Sequence, residues 1–232
     1  WAPNRIKFRQ KILPFYHEEY AAVGKYGTGR IYERIKDKII KLGGKIKLQE
    51  TITNFIYEEK KIKLIKSNKK EYKIDNDTIV ISSLPLSITS RFLGKKNNLK
   101  FRGVCSVFLF YNQENILPKN HHWLYFDSDK VLFNRITENK KLSKHLAPKN
   151  KSYLTAEITY SSGDKFSRTN PREIIKKVID QINQTKLVDK KKLIRTEINY
   201  EPFVYPVQFY NYKNEIANVK SYVESFNNLF SI

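Results

Sequence analysis

The sequence KYGTGRIYERIKDKIIKLGGKIKLQETI, residues 25–52, joins a glycine-rich turn to a predicted helix and strand. Apolar residues recur in its first half at the spacing of one helix face: Ile31, Ile35, Ile39 and Leu42. Thr28 suits the N-cap of this helix, and Gly43 suits the position after its last turn. Ile46 and Leu48 then alternate with lysines, which predicts a half-buried strand directly after the helix.

Three glycines, Gly24, Gly27 and Gly29, precede this helix. No Gly-Lys-Ser/Thr follows them, and they do not form a G-x-G-x-x-G pattern at a strand-to-helix turn, so neither common phosphate loop is present. Glycines permit a close approach of the backbone to a neighbour, and a helix N-terminus offers free N–H groups to an anion. Taken alone, the segment favours a turn over an anion site.

Further along, the chain alternates between apolar and charged residues. Ile52, Phe55 and Tyr57 begin this region, KIKLIKS at 61–67 alternates cleanly, and EYKI returns after a turn at Asn68 and Lys69. The pattern predicts a β-meander of exposed hairpins.

The run TIVIS, residues 78–82, is continuously apolar and β-branched up to its final serine. Such a run is typical of a strand buried on both faces between parallel neighbours. Pro85 then opens a helix that passes through Ile88 and Phe92, because proline is tolerated in a first turn. This strand is expected to need partners that the chain does not supply.

The rest of the chain predicts an α+β fold with a mixed β-sheet. Strands are expected at 104–111, 123–126, 131–136, 152–158, 193–200 and 228–232, and helices at 171–182 and 213–226. The chain begins with Trp1 and contains no methionine, and NNLFSI at its end reads as a strand without a cap. Both ends are therefore expected to continue in a longer protein.

Composition narrows the function classes. The 232 residues are 40% hydrophobic, enough for a real core, and no apolar run could cross a bilayer. The single cysteine, Cys105, excludes an internal disulfide framework and is interpreted as a core residue of a protein in the reducing cytoplasm. The net charge of +21 raises nucleic acid or anionic membranes as partners. A/T-rich codon usage, which favours Lys, Asn and Ile together, explains the same charge without a binding face.

Metal and catalytic clusters find little support. His17, His121, His122 and His145 show no ligand spacing with nearby carboxylates, so no metal is predicted and no proton-transfer residue is identified. The most suggestive stretch is HHWLYFDSDKVLFNRITENK, residues 121–140. Trp123, Tyr125 and Phe133 are expected to alternate as one sheet face. Arg135, two residues after Phe133, suits phosphate or planar recognition. An ion pair of Arg135 with Glu138 or Glu157 is the structural alternative.

Several segments in order resemble the FAD-dependent amine-oxidase superfamily, in its protoporphyrinogen-oxidase-like and UDP-galactopyranose-mutase-like branch. WAPNRI resembles the segment just before the family's glycine turn, and KYGTGRIYERIKDKIIKLGGKIKLQETI resembles the glycine-turn block. DTIVISSLPLS is similar to its "A-D-x-V-I-S-T-x-P" block, and WLYF followed by FNRITENK to the mutase-like "Y-T-R-I-x-E-x-K". VYPV and NNLFSI are similar to the end of the family's substrate domain. The sequence departs from the pattern at Asn134, where the mutases have Thr, and before Gly27, where Pro is absent.

The resemblance implies an FAD cofactor and assigns residues to it. Gly27 and Gly29 resemble the turn that passes close to the flavin, Ile52 the position whose backbone meets the adenine, and Ser82, Ser83 and Pro85 the loop near the dinucleotide. Trp123 and Tyr125 resemble substrate-pocket aromatics, and Arg135 resembles the arginine that holds a substrate diphosphate. The family's dinucleotide fingerprint and its Gly-Arg motif would lie outside this chain, so the isolated 232 residues are expected to be inactive.

The implied organisation has four parts, the second and last belonging to a Rossmann-like FAD domain whose terminal portions are missing. Residues 1–45 form the entry with glycine turn and helix, 46–92 the partial FAD-domain strands and meander, 93–225 the substrate-binding domain, and 226–232 the start of the C-terminal FAD-domain strand.

The implied reaction is hydride transfer from an organic substrate to the flavin, with a flavin-dependent sugar-nucleotide mutase as the alternative. The substrate is a small molecule, such as a sugar nucleotide or another anionic compound. Peripheral association with the inner face of the membrane and the oligomeric state stay open. A basic nucleic-acid-binding module and a complete, non-catalytic domain are the other classes. Most aromatics lie inside apolar strand runs, which argues against specific nucleic-acid binding.

Overall fold

Two hydrophobic cores organise residues 27–232, the part of the chain that this computed structural model describes. The features predicted at Trp1–Ile6, His17 and Gly24 lie outside the described residues. Four helices are distributed among the strands of a mixed α/β architecture in this part of the chain.

The first helix, α1 (Gly29–Lys41), confirms the helical spacing of the opening stretch. It begins after Thr28, whose side chain makes no capping hydrogen bond, and Gly43 ends it with a φ of +84°. No residue of α1 is buried. The strand predicted at Ile46 and Leu48 is wrong: Gly44 N–H folds back onto Ile39 O, and Gln49 has a φ of +55°, which breaks an extended conformation.

The β-meander is confirmed as three antiparallel strands, β1 (Ile52–Glu58), β2 (Lys61–Ser67) and β3 (Glu71–Lys73). Phe55 and Ile62 are buried in the smaller core. The alternation of the sequence therefore places one face of the meander inward.

TIVIS forms β4 (Val80–Ser82), followed by α2 (Leu86–Phe92). The strand pairs in parallel with β10 (Leu229–Ser231). The helix that precedes β10, α4 (Tyr212–Glu224), has Val219 and Val223 buried. The prediction that TIVIS is buried on both faces is wrong for the described chain, because Ile79 and Ile81 are 62% and 66% exposed. Among the described strands β4 has a neighbour on one side only.

The second sheet has five strands in the order β6-β7-β8-β5-β9. Their bounds are β5 (Phe101–Tyr111), β6 (Trp123–Tyr125), β7 (Arg135–Glu138), β8 (Ser152–Ser161) and β9 (Leu193–Pro206). Every neighbouring pair in this sheet is antiparallel, so the predicted mixed sheet is wrong here. The helix between β8 and β9 does produce a crossover, but β5 lies between those two strands.

That crossover helix, α3 (Pro171–Gln184), covers one face of the five-stranded sheet and builds the larger core. Asn170 caps it by accepting from Arg172 N–H at 2.9 Å, and Ile174, Val178 and Ile182 are buried. Cys105 lies in this core, as predicted, and burial raises the pKa of its thiol to about 11. The thiol is therefore protonated at neutral pH and unreactive.

Candidate functional site

The loop predicted to lie near the dinucleotide follows β4 at the carboxyl end of the one parallel strand pair in residues 27–232. Ser83 and Pro85 line a cleft of about 380 Å³ there, together with Phe101, Lys220 and Ile232. Ligands of open α/β sheets bind outside the carboxyl ends of parallel strands. The location of this cleft suits such a ligand.

Ser82 supports the loop and does not line the cleft. Its Oγ lies 3.2 Å from Thr89 Oγ1 and accepts from Leu84 N–H at 3.3 Å, while its carbonyl accepts from Ile232 N–H at 3.0 Å. Ile52 packs against the smaller core, which also contains Val80 of β4. These two residues therefore position the elements that carry the cleft.

Neither Gly27 nor Gly29 of the predicted glycine turn lines this cleft. Gly27 has a φ of +72°, and a Cβ on it would lie 3.5 Å from Leu146 Cδ2. A Cβ on Gly29 would have no atom within 4 Å. No hydrogen bond between described residues links either glycine to the loop at 82–85. Gly27 therefore lies beside Leu146, which is not among the residues that line the cleft.

The aromatic and arginine residues predicted for substrate do lie together. Tyr125 stands opposite Arg135 in the β6–β7 pair, with the guanidinium 5.8 Å from the Tyr125 ring. Arg135 Nη2 donates to both carboxylate oxygens of Glu157, at 2.7 and 2.6 Å. Of the two ion pairs left open by the sequence, the one with Glu157 is therefore formed. Arg135 Nε is buried and has no acceptor among the described residues.

Strand register extends this cluster across the whole sheet. Glu157 stands opposite Ser106, and Ser106 stands opposite Asn199, so one polar row crosses all five strands. Further along the same face, Phe110 stacks on Tyr153 at 5.3 Å, and Arg195 lies 4.3 Å above Phe110. Burial raises the pKa of Tyr153.

We call a set of side chains on this side of the sheet, which leaves out the buried Thr137 and Thr155, the open face. It comprises Ser106, Phe108, Phe110, Trp123, Tyr125, Arg135, Tyr153, Glu157, Arg195, Glu197 and Asn199. None of these residues belongs to either hydrophobic core. Sequence reasoning found only the part on β6 and β7, because the remaining residues are brought alongside it by register.

The fold is held together by the other charged residues of RITENK and by Lys141 directly after it. Glu138 is fully buried and accepts hydrogen bonds from Ile116 N–H, Leu117 N–H and Ser152 Oγ. Lys140 Nζ donates to the carbonyls of residues 148, 149 and 151, and Lys141 Nζ to those of residues 117 and 118. Of the motif's charged residues, Arg135 is thus the one on the open face.

Within residues 27–232 no group of histidine, cysteine and carboxylate side chains could hold a metal ion. His121 and His122 are exposed, in agreement with a surface role. No helix in this part of the chain combines the length and apolar character that crossing a membrane requires.

No protein-family model matches the sequence, and no curated protein matches it. Solved structures match its fold. A candidate protoporphyrinogen oxidase from Exiguobacterium sp. 255-15 superposes with a TM-score of 0.68 at 13% identity, over 89% of this chain and 46% of that one. Reduced UDP-galactopyranose mutase gives a TM-score of 0.70 at 18% identity, over 88% and 44%. A geranylgeranyl bacteriochlorophyll reductase-like protein from Thermoplasma acidophilum gives 0.51 at 12%, over 88% and 45%.

The two higher TM-scores belong to the two protein types whose sequence motifs this chain resembles. At 13% and 18% identity the likeness shows a shared fold and no particular activity. The chain spans less than half the length of each matched structure.

Proposed function

We propose that this chain forms the substrate-binding part of an FAD-dependent oxidoreductase, with the substrate on the open face. The observation that carries the proposal is that this chain combines a parallel strand pair with an antiparallel sheet. A parallel strand pair bears the predicted dinucleotide loop at its carboxyl end, beside an antiparallel sheet that leaves one polar and aromatic face outside both cores.

The residues present fit the part of an FAD site that they would form. Ser83 and Pro85 border a cleft at the edge of parallel strands, and the space above Gly29 admits a close neighbour. Bound FAD would supply the hydride or electron transfer. The chain's own residues would bind and orient: Ser83 and Pro85 beside the dinucleotide, Gly29 against the flavin, and Trp123 and Tyr125 on the substrate.

The protein encoded by the complete reading frame that contains this chain tests the proposal. We expect it to purify with one equivalent of FAD, visible in its absorbance. Gly29→Ala is expected to reduce the bound flavin at least about tenfold while leaving the melting temperature of the apoprotein unchanged or raised, because the new methyl meets no described atom.

Lys38→Ala, an exposed change on the same helix, is the matched control and should retain the flavin. A complete protein that binds no flavin would refute the proposed function. Full flavin occupancy in Gly29→Ala would remove Gly29 from the site.

A mutase-like enzyme acting on an anionic sugar nucleotide is the second candidate, and Arg135 favours it. Its buried Nε–H has no acceptor among the described residues, and half-buried arginine suits phosphate oxygens. Glu157 opposes this role, since its carboxylate already occupies Nη2.

Glu157→Gln is therefore expected to tighten the binding of an anionic ligand about tenfold, by removing the competing charge. Pyrophosphate is a suitable probe, followed by calorimetric titration of the complete protein. Arg135→Gln should abolish the heat of binding, and Glu114→Gln, an exposed change outside the open face, should leave it unchanged. Equal pyrophosphate affinity in wild type and Arg135→Gln would exclude Arg135 as an anion ligand.

A further inference from the structure

We propose that the outer edge of β9 pairs with the same edge of a second copy of this chain, joining two five-stranded sheets into one. β9 is the last strand on one side of the sheet and has 14 residues, whereas β6 at the opposite edge has three. A long edge strand presents a row of unpaired N–H and C=O groups that recruits another strand. The short β6 edge offers no comparable template.

Only the first half of β9 is open to such pairing. Pro202 and Pro206 lie in its second half, where each removes a backbone donor, and residues 193–201 contain no proline. The backbone hydrogen bonds beside this strand run from Asn112 N–H to Lys192 O and from Val207 N–H to Lys100 O, both toward the β5 side. Among residues 27–232, no strand pairs with the outer edge of β9.

The charges of this half are self-complementary. Two copies related by a two-fold axis run antiparallel at the shared edge, and an axis through Thr196 places Arg195 of each copy opposite Glu197 of the other. Within one chain Arg195 Nη1 lies 3.0 Å from Glu197 Oε1, with both side chains more than half exposed, so both can re-pair across the axis.

A β-bulge limits the registers that this edge can adopt. Ile194 is its extra residue, since β5 pairs Phe110 with Arg195 and Tyr111 with Leu193, so the regular part of this half begins at Arg195. An axis through Glu197 would instead set that carboxylate against its own copy, which is unfavourable. The register centred on Thr196 thus satisfies the charges of this regular part.

Charge reversal tests both the edge and the register. Light scattering after gel filtration of the complete protein that contains this chain should give wild type twice the mass of one polypeptide. Arg195→Glu and Glu197→Arg should each run as monomers, with dimer affinity reduced at least about tenfold, because each places like charges together at two symmetric positions. An equimolar mixture of the two variants should form the dimer again, since every pair across the axis is then opposite in charge.

Lys176→Glu is the matched control, with the same charge change at an exposed position of α3, and should remain dimeric. A monomeric wild type at the highest concentration reached would overturn the proposal. So would single variants that stay dimeric, or a mixture that stays monomeric. The measurement needs no flavin, and its outcome is independent of the proposed enzyme function.

Discussion

Replacing Glu138 with alanine is expected to lower the free energy of unfolding by about 3 kcal/mol, measured by urea denaturation. Its carboxylate is fully buried and accepts from Ile116 N–H at 3.0 Å, Leu117 N–H at 2.8 Å and Ser152 Oγ at 2.7 Å. Alanine leaves these donors without an acceptor in a site closed to water. Lys141 Nζ, 3.8 Å from the carboxylate, also loses its counter-charge.

Glu138→Gln separates hydrogen bonding from charge. Glutamine keeps one acceptor oxygen but turns an NH₂ group toward a second donor, so we expect about half of the alanine effect. Glu114→Ala removes an exposed carboxylate 3.9 Å from Lys140 and should change stability by less than about 0.5 kcal/mol. If Glu138→Ala were as stable as Glu114→Ala, Glu138 would not anchor the segment after β5.

The sequence predicts elements best where one face of a helix or strand is buried. The predicted end of α3 lies within two residues of the observed one. The cap at Asn170 and Pro171 and the buried face of Ile174, Val178 and Ile182 indicate the same helix. The apolar run at 104–111 likewise forms the greater part of β5, which lies between β8 and β9 in the sheet.

Prediction failed where local alternation lacked a partner strand. Ile46 and Leu48 alternate with lysines, yet the backbone there turns at Gln49 and pairs with no strand among the described residues. TIVIS has the composition of a doubly covered strand, but only the faces of Val80 and Ser82 are buried in the described chain. Burial depends on neighbours, which a pattern within one strand cannot supply.

In the candidate site, too, alternation within one strand was predictable, whereas contacts between strands were not. Trp123 and Tyr125 share a sheet face by alternation, and Arg135 joins them because the adjacent strand turns back beside them. Glu138 is three residues from Arg135 and points to the opposite face, whereas Glu157 stands directly across in β8. Alternation within β7 already excludes Glu138, whereas the identification of Glu157 requires the register of β7 on β8.

The aromatic stack of the open face depends on pairings over long stretches of chain. Phe110, Tyr153 and Arg195 come from three strands, and ten successive residue pairs fix β5 on β8. A register shift of one residue would send Tyr153 to the α3 side. Such a contact follows from the fold and has no local signal in the sequence.

Gly103 is the position where this register leaves least room, and Gly103→Ala is expected to lower the free energy of unfolding by about 2 kcal/mol. A Cβ at this position would lie 2.6 Å from Cε1 and Cζ of the Tyr160 ring and 2.7 Å from the Glu201 carbonyl oxygen. The ring is part of the larger core and the carbonyl belongs to the backbone of β9, so neither moves away at low cost. Urea denaturation measures the loss.

Two comparisons identify the cause as steric. Gly29→Ala adds the same methyl where no described atom lies within 4 Å, and should leave stability unchanged or raise it by about 0.5 kcal/mol. Gly103→Ala combined with Tyr160→Leu should cost less than the sum of the two single changes, because the smaller side chain removes the ring contact. Strict additivity of the two free-energy changes would mean that the Tyr160 ring does not restrict residue 103. If Gly103→Ala were as stable as wild type, β5 and β9 would be farther apart there than the structure has them.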